Sequence, residues 1–180
     1  CGRMLGQETG ATFDFRTIRY PGLLSAETLP TGGTSDYAPE MVHAAVRGQK
    51  ASCFVPPHAQ LPFMTMPEAA EATLALASAP RSCLQQNVYA VGGFAPTVAE
   101  LENALRDRFP NFEVDYDPHP FRSEIVDSWP ADVDDSAAQR DWGFQRVLDL
   151  GSALDDYLIP GIRNAHSQSK YECEETPRTL

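Results

Sequence analysis

The apolar residues of this chain follow two different periods. Between Phe13 and Tyr20 they alternate imperfectly with arginines, and the pattern stops at Pro21-Gly22. This is typical of a strand with a sharp end. Further along, apolar residues recur at helical spacing from Val98 to Phe109, after a capping-box pattern formed by Thr97 and Glu100. The sequence therefore predicts a strand in the first of these segments and a helix in the second.

The rest of the chain alternates between the same two patterns. Further helices are predicted at about 36–47, 68–77, 135–142 and 150–158. Further strands are predicted at about 51–55, 61–66, 86–91, 112–116 and 125–129. Residues 1–9 are predicted to end a helix, and the polar segment 163–180 is predicted to be a disordered tail. Strands that alternate with helices indicate the α/β class.

Composition narrows the kinds of protein that this chain could be. A length of 180 residues with 42% hydrophobic side chains is enough for one globular core. The formal net charge of −11 argues against binding to nucleic acid or to an anionic membrane. No run of 18 apolar residues is present, so no transmembrane helix is predicted. The four cysteines form no Cys-x-x-Cys pair, which favours reduced, structural thiols over a metal site.

No complete catalytic set is recognisable in the sequence. Neither Gly-x-Gly-x-x-Gly nor Gly-x-x-Gly-x-x-Gly follows a first strand, so the usual cradle for a dinucleotide pyrophosphate is absent. The four histidines are scattered, and none forms a nucleophile pattern with Ser or Cys. Asp134 and Asp135 could form an acid-base couple, but capping of the helix that follows them explains them better.

Five short segments instead stand out because they occur in a fixed order. They are RYPGLL, PTGGTSDY, LPFMTMPEA, DSWP and DDSAAQRDWGF. Together they resemble the short-chain L-threonine 3-dehydrogenases of the extended short-chain dehydrogenase/reductase (epimerase/dehydratase) superfamily, over about residues 4 to 160. The resemblance implies that residues 1–162 are the substrate-side, carboxy-terminal part of such an enzyme, with an incomplete Rossmann half and a small α/β substrate domain. Residues 163–180 would follow as the tail.

The resemblance also implies an activity and a cofactor. Members of this family oxidise L-threonine to 2-amino-3-ketobutyrate with NAD, while a tyrosine assisted by a lysine takes the hydroxyl proton. A phenol needs a neighbouring ammonium to ionise at working pH, which gives the pair its physical basis. Matching Met4 to Gln7 with the end of the family's catalytic helix puts this Tyr-x-x-x-Lys motif before Cys1. The chain alone is therefore expected to be inactive.

Further expectations follow from the same resemblance. The small-molecule substrate would be L-threonine, and the full-length protein would form a homodimer. The location would be mitochondrial for a eukaryotic source and cytoplasmic for a bacterial one. Neither a nucleic acid, a membrane nor a metal is expected as a partner.

On the cofactor side, the resemblance assigns four residues at the end of the first strand. Pro21, Gly22 and Leu23 match the nicotinamide-side contact of the family, and Tyr20 would support the wall beside them. Ligands of α/β proteins bind beyond the carboxyl ends of strands, which suits this assignment. A plain turn at the end of a strand would give the same sequence, so both interpretations stay open.

On the substrate side, the resemblance assigns three residues. Gly33 and Thr34 match the loop that meets threonine, where a hydroxyl and backbone N–H groups can hold a carboxylate. Trp129 of the DSWP segment matches a tryptophan near the substrate. The loop could instead serve only to begin a helix, and the tryptophan could be a core residue. Thr31 stands where the family has a glycine, and a β-branched residue there is predicted to restrict the loop.

Two other functions remain possible from the sequence. One is a nucleotide-sugar epimerase or dehydratase of the same superfamily. Such enzymes usually hold a diphosphate with a basic residue near LPFMTMPEA, and this chain has none between Lys50 and Arg81. The other is a non-catalytic interaction module that has lost its active half.

Overall fold

The computed structural model describes residues 14–174, and side-chain environments up to Ser167. The helix end predicted at 1–9 lies outside these residues. Within them, three pairs of parallel strands are formed. The pairs are β1 (Thr17–Arg19) with β5 (Val88–Ala90), β2 (Gly22–Leu24) with β4 (Phe63–Thr65), and β3 (Ala51–Cys53) with β6 (Val114–Tyr116). Parallel pairing with intervening helices confirms the predicted α/β class.

The helices connect these strands and cover them. They are α1 (Tyr37–Val46), α2 (Met66–Ser78), α3 (Val98–Arg108), α4 (Pro120–Asp127), α5 (Ser136–Trp142), α6 (Leu150–Ser152) and α7 (Ile159–Glu174). A 3-10 turn at Arg81–Cys83 precedes β5, and a π-helical segment at Ala153–Leu158 joins α6 to α7. The capping box predicted for α3 is confirmed, because the Thr97 hydroxyl accepts from the Glu100 N–H at 3.2 Å and the Glu100 carboxylate accepts from the Thr97 N–H at 2.7 Å.

The predicted strand at 125–129 is wrong, because residues 125–127 form the last turn of α4 and residues 128–129 follow it without forming a strand. Pro120 occupies the first turn of the helix, where its missing N–H does no harm, and the His119 side chain accepts from the Arg122 N–H at 3.4 Å. Val126 is buried against the core, while its neighbours on either side are less so. Two adjacent apolar residues, at 125 and 126, are too short a pattern to distinguish a strand from a helix, and they were interpreted as a strand.

The predicted helix end near Pro160-Gly161 is also wrong. The Ile159 N–H donates to the carbonyl of Leu154, five residues back, and the wider turn leaves room for the ring of Pro160. The chain then continues as a helix to Glu174, so the first part of the polar segment 163–180 is helical. A side chain at Gly161 would come within 2.5 Å of Ala26, so a glycine is required where this helix crosses the loop.

Two clusters of buried side chains hold the elements together. The larger one packs α1, β3, α3 and α7 together, and its fully buried members include Met41, Leu105 and Ile162. The smaller one packs α2, β5 and α5 around Tyr89, whose hydroxyl donates to Asp141 at 2.7 Å. Both clusters meet at β4, because Phe63 belongs to the first and Met64 to the second. The segment around β4 is therefore held from both sides.

Acid is expected to destabilise the contact between α1 and α7. His43 is only 5% exposed, and its ring meets that of His166 edge to face at 5.9 Å. Burial, with the nearby Arg47 and His166, lowers the pKa of His43 below its usual value. The unfolded chain then binds this proton more tightly, so the stabilisation is present above about pH 6.5 and is lost as pH falls. Urea unfolding at pH 7.5 and pH 5.5 measures this loss.

The matched variants of this experiment are His43→Phe and His58→Gln. The first removes the titrating group but keeps an aromatic ring of similar size, so it should lose less stability on acidification than the unmodified chain. The second changes an exposed histidine and should behave like the unmodified chain. An unchanged pH dependence in His43→Phe would contradict the assignment.

Candidate functional site

A cavity of about 400 Å³ opens where the first strand ends. It lies between the β1–β2 junction, the start of α1, the segment before β4 and the segment that follows α4. The residues that line it are Tyr20, Pro21, Gly22, Ser35, Leu61, Pro62, Trp129, Pro130 and Val133. No charged side chain lines the cavity in the described part of the chain. It therefore suits a small ligand with an apolar face better than a polyanion.

Four of the seven residues assigned from sequence line this cavity. Tyr20, Pro21 and Gly22 of the predicted cofactor side line the same cavity as Trp129 of the predicted substrate side. Gly22 is required there, because a Cβ at this position would lie 2.7 Å from the ring of Phe63. The strand end and the tryptophan, more than 100 residues apart in sequence, are thus brought together by the fold.

The other three assigned residues lie beside the cavity and not in its lining. Leu23 is 41% exposed, since side chains alternate along β2 and it points away from the side of Gly22. Gly33 and Thr34 directly precede Ser35, which does line the cavity. Among the loop residues, Ser35 is therefore the one that sequence matching missed, although it lies in the same PTGGTSDY segment.

The loop before α1 is ordered by a carboxylate of the chain itself. One carboxylate oxygen of Asp36 accepts from the N–H groups of Thr31, Gly32 and Gly33, at 2.9, 2.9 and 2.7 Å. Of the two residues expected to hold a ligand carboxylate, Gly33 thus has its N–H already engaged by Asp36. The positive φ of this loop falls on Gly32, at 92°. Thr31 therefore meets no positive-φ requirement, and the predicted restriction of the loop is not found.

Arg122 of α4 holds the other side of the same loop. Its guanidinium donates to the carbonyl oxygens of Gly32 and Gly33, the first at 3.1 Å, and lies 3.3 Å from the ring centroid of Phe54. Stacking and hydrogen bonding together fix both the guanidinium and the loop. Sequence patterns do not indicate a role for Arg122, because the contact spans about 90 positions. Asp36 and Arg122 hold the loop so that Ser35 faces the cavity.

Trp129 forms an exposed wall and not part of the core. Its side chain is 45% exposed, which decides against the core interpretation of the DSWP segment. Its backbone N–H donates to the carbonyl of Val126 at 3.1 Å, so the tryptophan continues directly from the end of α4. Pro130 and Val133 extend the same wall. Residues 128–135, termed the Trp129 segment, thus supply three of the nine residues that line the cavity.

Asp36→Ala is expected to disorder the loop that carries Ser35. The substitution leaves three N–H groups of the loop without their acceptor. Hydrogen bonds to a charged group stabilise by about 1.5–3 kcal/mol, and three that share one oxygen do not add, so a loss of about 2 kcal/mol is expected. Urea unfolding measures it. Asp134→Ala is the control, since that carboxylate contacts one N–H at an exposed helix start. Equal effects in the two variants would contradict the role of Asp36.

Comparison with known proteins finds relatives over most of the chain, although no protein-family model matches it. It is 37% identical to the mitochondrial L-threonine 3-dehydrogenase of Sus scrofa over 155 residues. The matched region covers 86% of this chain and 41% of that relative. It is also 34% identical over 150 residues to an uncharacterized epimerase/dehydratase of Staphylococcus saprophyticus. That matched region covers 83% of this chain and 47% of the relative. The chain thus spans less than half the length of these relatives.

A comparison with solved structures finds the same kind of relative. The GalE-like L-threonine dehydrogenase of Cupriavidus necator superposes with a TM-score of 0.80 at 38% identity, over 88% of this chain and 56% of that one. The chain therefore belongs to the GalE-like class of short-chain dehydrogenases and epimerases. Within that class its sequence relatives are the L-threonine 3-dehydrogenases, as the five ordered segments predicted. In the described residues, no helix is long and apolar enough to cross a membrane.

Proposed function

We propose that this chain supplies the substrate-side wall of an NAD-dependent L-threonine 3-dehydrogenase, which oxidises L-threonine to 2-amino-3-ketobutyrate. The observation that carries the proposal is the single cavity lined by the Pro-Gly strand end, Ser35 and Trp129. These features come from three of the five segments that resemble the family. The rest of the site, with the tyrosine and lysine that handle the hydroxyl proton, would come from sequence outside this chain, since no Tyr-x-x-x-Lys occurs in it.

The strand end fits the nicotinamide part of NAD. Pro21 and Gly22 offer an uncharged edge with little side-chain bulk, which leaves room for a flat ring. Tyr20 is fixed beside them, because its hydroxyl contacts Thr73 and donates to the carbonyl of Ala69 at 3.3 Å. Leu23, exposed on the next position of β2, would contact the cofactor from outside the cavity. When bound, NAD accepts the hydride from the substrate.

The part of the cavity formed by Ser35 and Trp129 fits a small amino acid. Ser35 provides a hydroxyl that can bind the ammonium or the carboxylate of threonine, and Thr34 lies next to it. Gly33 would act through the position it gives to Thr34 and Ser35, because its own N–H is bonded to Asp36. Trp129 would exclude water from the reacting carbon and offer one indole N–H. Exclusion of water strengthens the electrostatic contacts that hold a zwitterion.

A chimeric enzyme tests the proposal. Residues 14–180 are joined to the part of the Cupriavidus necator enzyme that this chain does not cover, and NADH formation from L-threonine is measured by absorbance. The chimera should reduce NAD in the presence of L-threonine, whereas the chain alone should not. NAD reduction by the chain alone, or a folded chimera that binds NAD and ignores L-threonine, would overturn the proposal.

The same chimera distinguishes the dehydrogenase from the epimerase alternative. A nucleotide sugar carries a diphosphate that needs cationic or N–H donors, and no Lys or Arg lines the cavity in the described residues. Calorimetric binding of a UDP-sugar without binding of L-threonine would favour that alternative. For the whole protein, we further propose a homodimer, and a mitochondrial location if its source is eukaryotic, as in the Sus scrofa relative.

A further inference from the structure

Arg146, which follows α5, makes an unusually complete set of contacts beside the cavity. Its Nε donates to Asp135 at 2.7 Å, and its Nη1 donates to Asp132 and to the carbonyl of Gly93, both at 3.0 Å. Its Nη2 donates to the carbonyl of Val133 at 2.6 Å. Three of these four partners belong to the Trp129 segment, and the fourth follows β5. One side chain thus joins two parts of the fold.

The sequence around Arg146 accommodates this arrangement. A Cβ at Gly92 would lie 2.5 Å from Nη2, so the guanidinium approaches as closely as it does because position 92 is a glycine. Asp135 is only 4% exposed, so its ion pair with Arg146 is largely removed from water. Removing one partner of such a pair leaves a buried charge uncompensated. This lowers the free energy of unfolding far more than removing a surface ion pair does.

The two joined parts both contribute to the lining of the cavity. Gly93 lies against the backbone of Phe63, and Phe94 exchanges hydrogen bonds with Phe63 at 2.7 and 3.0 Å. Phe63 directly follows Leu61 and Pro62, which line the cavity, and Val133 of the Trp129 segment lines the same cavity. Arg146 therefore connects the wall before β4 to the Trp129 segment through a few rigid contacts.

We propose that Arg146 is a positioning residue that sets the spacing between these two walls and so the place of Trp129 beside the substrate. The effect on substrate binding rests on the proposed function, whereas the effect on Trp129 does not. A lysine cannot reproduce it, because an ammonium is a single point of charge and cannot reach four acceptors in a planar arrangement. The determinant lies outside the five segments and was not recognisable from the sequence.

Arg108 provides a matched control for this proposal. It makes a comparable set of contacts, with Asp155 through two nitrogens and with the carbonyls of Ala104 and Gly151. These contacts join α3 to the segment around α6 and lie outside the cavity lining. Lysine at this position should cost stability in the same way as at Arg146 but should leave the Trp129 segment in place.

The test uses the 180-residue chain with Trp142→Phe, in which Trp129 is the remaining tryptophan. Acrylamide quenching of its fluorescence is compared in Arg146→Lys and Arg108→Lys. In Arg146→Lys the quenching constant should rise about twofold, because the four planar contacts that hold the segment are lost. In Arg108→Lys it should not change. Asp132→Asn, which removes the charge of one exposed partner, is a milder variant and should raise the constant in the same direction.

The same substitutions in the chimera separate the two proposals. Arg146→Lys should raise KM for L-threonine about fivefold with kcat little changed, and Arg108→Lys should alter neither. If the chimera is inert with L-threonine but Arg146→Lys still raises quenching, the proposed function fails and the positioning role stands. If quenching is unchanged in both Arg146→Lys and Asp132→Asn, the positioning role is overturned, whatever the chimera does.

Discussion

Trp129→Ala in the chimera is expected to lower kcat/KM for L-threonine by about 100-fold, since a reacting group misplaced by about 1 Å costs that much. The indole is the largest side chain in the cavity lining, and its removal opens the cavity to water and frees the substrate to move. Trp129→Phe keeps a flat ring and removes only the N–H, so it should retain most of the activity. The measurement is steady-state NAD reduction at several concentrations of L-threonine.

The control for this prediction is Trp142→Phe. Trp142 lies on α5 and packs against Phe144, with ring centroids 5.4 Å apart, in the smaller buried cluster. Its replacement should leave kcat/KM nearly unchanged. Equal activity of Trp129→Ala and the unmodified chimera would show that the exposed tryptophan faces something other than the substrate.

Gly93→Ala should be the most destabilising single substitution of those considered. An added Cβ would lie 2.1 Å from the carbonyl oxygen of Phe63, far inside van der Waals contact. The backbone cannot give way without breaking the two hydrogen bonds between Phe63 and Phe94. Overpacking of this kind costs about 3 kcal/mol or more, which urea unfolding can detect.

Gly151→Ala is the matched control, because a Cβ there meets its nearest atoms at 3.4 and 3.5 Å. It lies in α6, where alanine is favoured over glycine by up to about 1 kcal/mol. The control should therefore be as stable as the unmodified chain or more so. A Gly93→Ala chain of normal stability would mean that β4 and the segment after β5 are not in the contact described here.

Local patterns were sufficient where an element depends on its own residues. The capping box at Thr97 predicted α3, and the helical spacing at 36–47 predicted α1, both close to their observed bounds. They failed where a distant contact decided the structure. Pro160 sits in a helix because a π turn precedes it, and 163–174 stays helical although its polarity predicted disorder. A single-sequence pattern contains neither piece of information.

The candidate site divides in the same way. Pro21, Gly22 and Trp129 were recognisable because they lie in segments that match a family, and the fold brings them to one cavity. Arg122 and Arg146 were not recognisable, since their acceptors are mostly backbone carbonyls that come near only after folding. The role of Asp36 was also not recognisable. Its carboxylate accepts hydrogen bonds from the loop before it, and this contact depends on the turn that Gly32 allows.

A crystal structure of the chimera with NAD and L-threonine tests the central claim most directly. We expect the nicotinamide ring against Pro21 and Gly22, and the amino acid between it and the indole of Trp129, within hydrogen-bonding distance of the Ser35 hydroxyl. Density for the amino acid at any other place, with this space filled by water, would contradict the account.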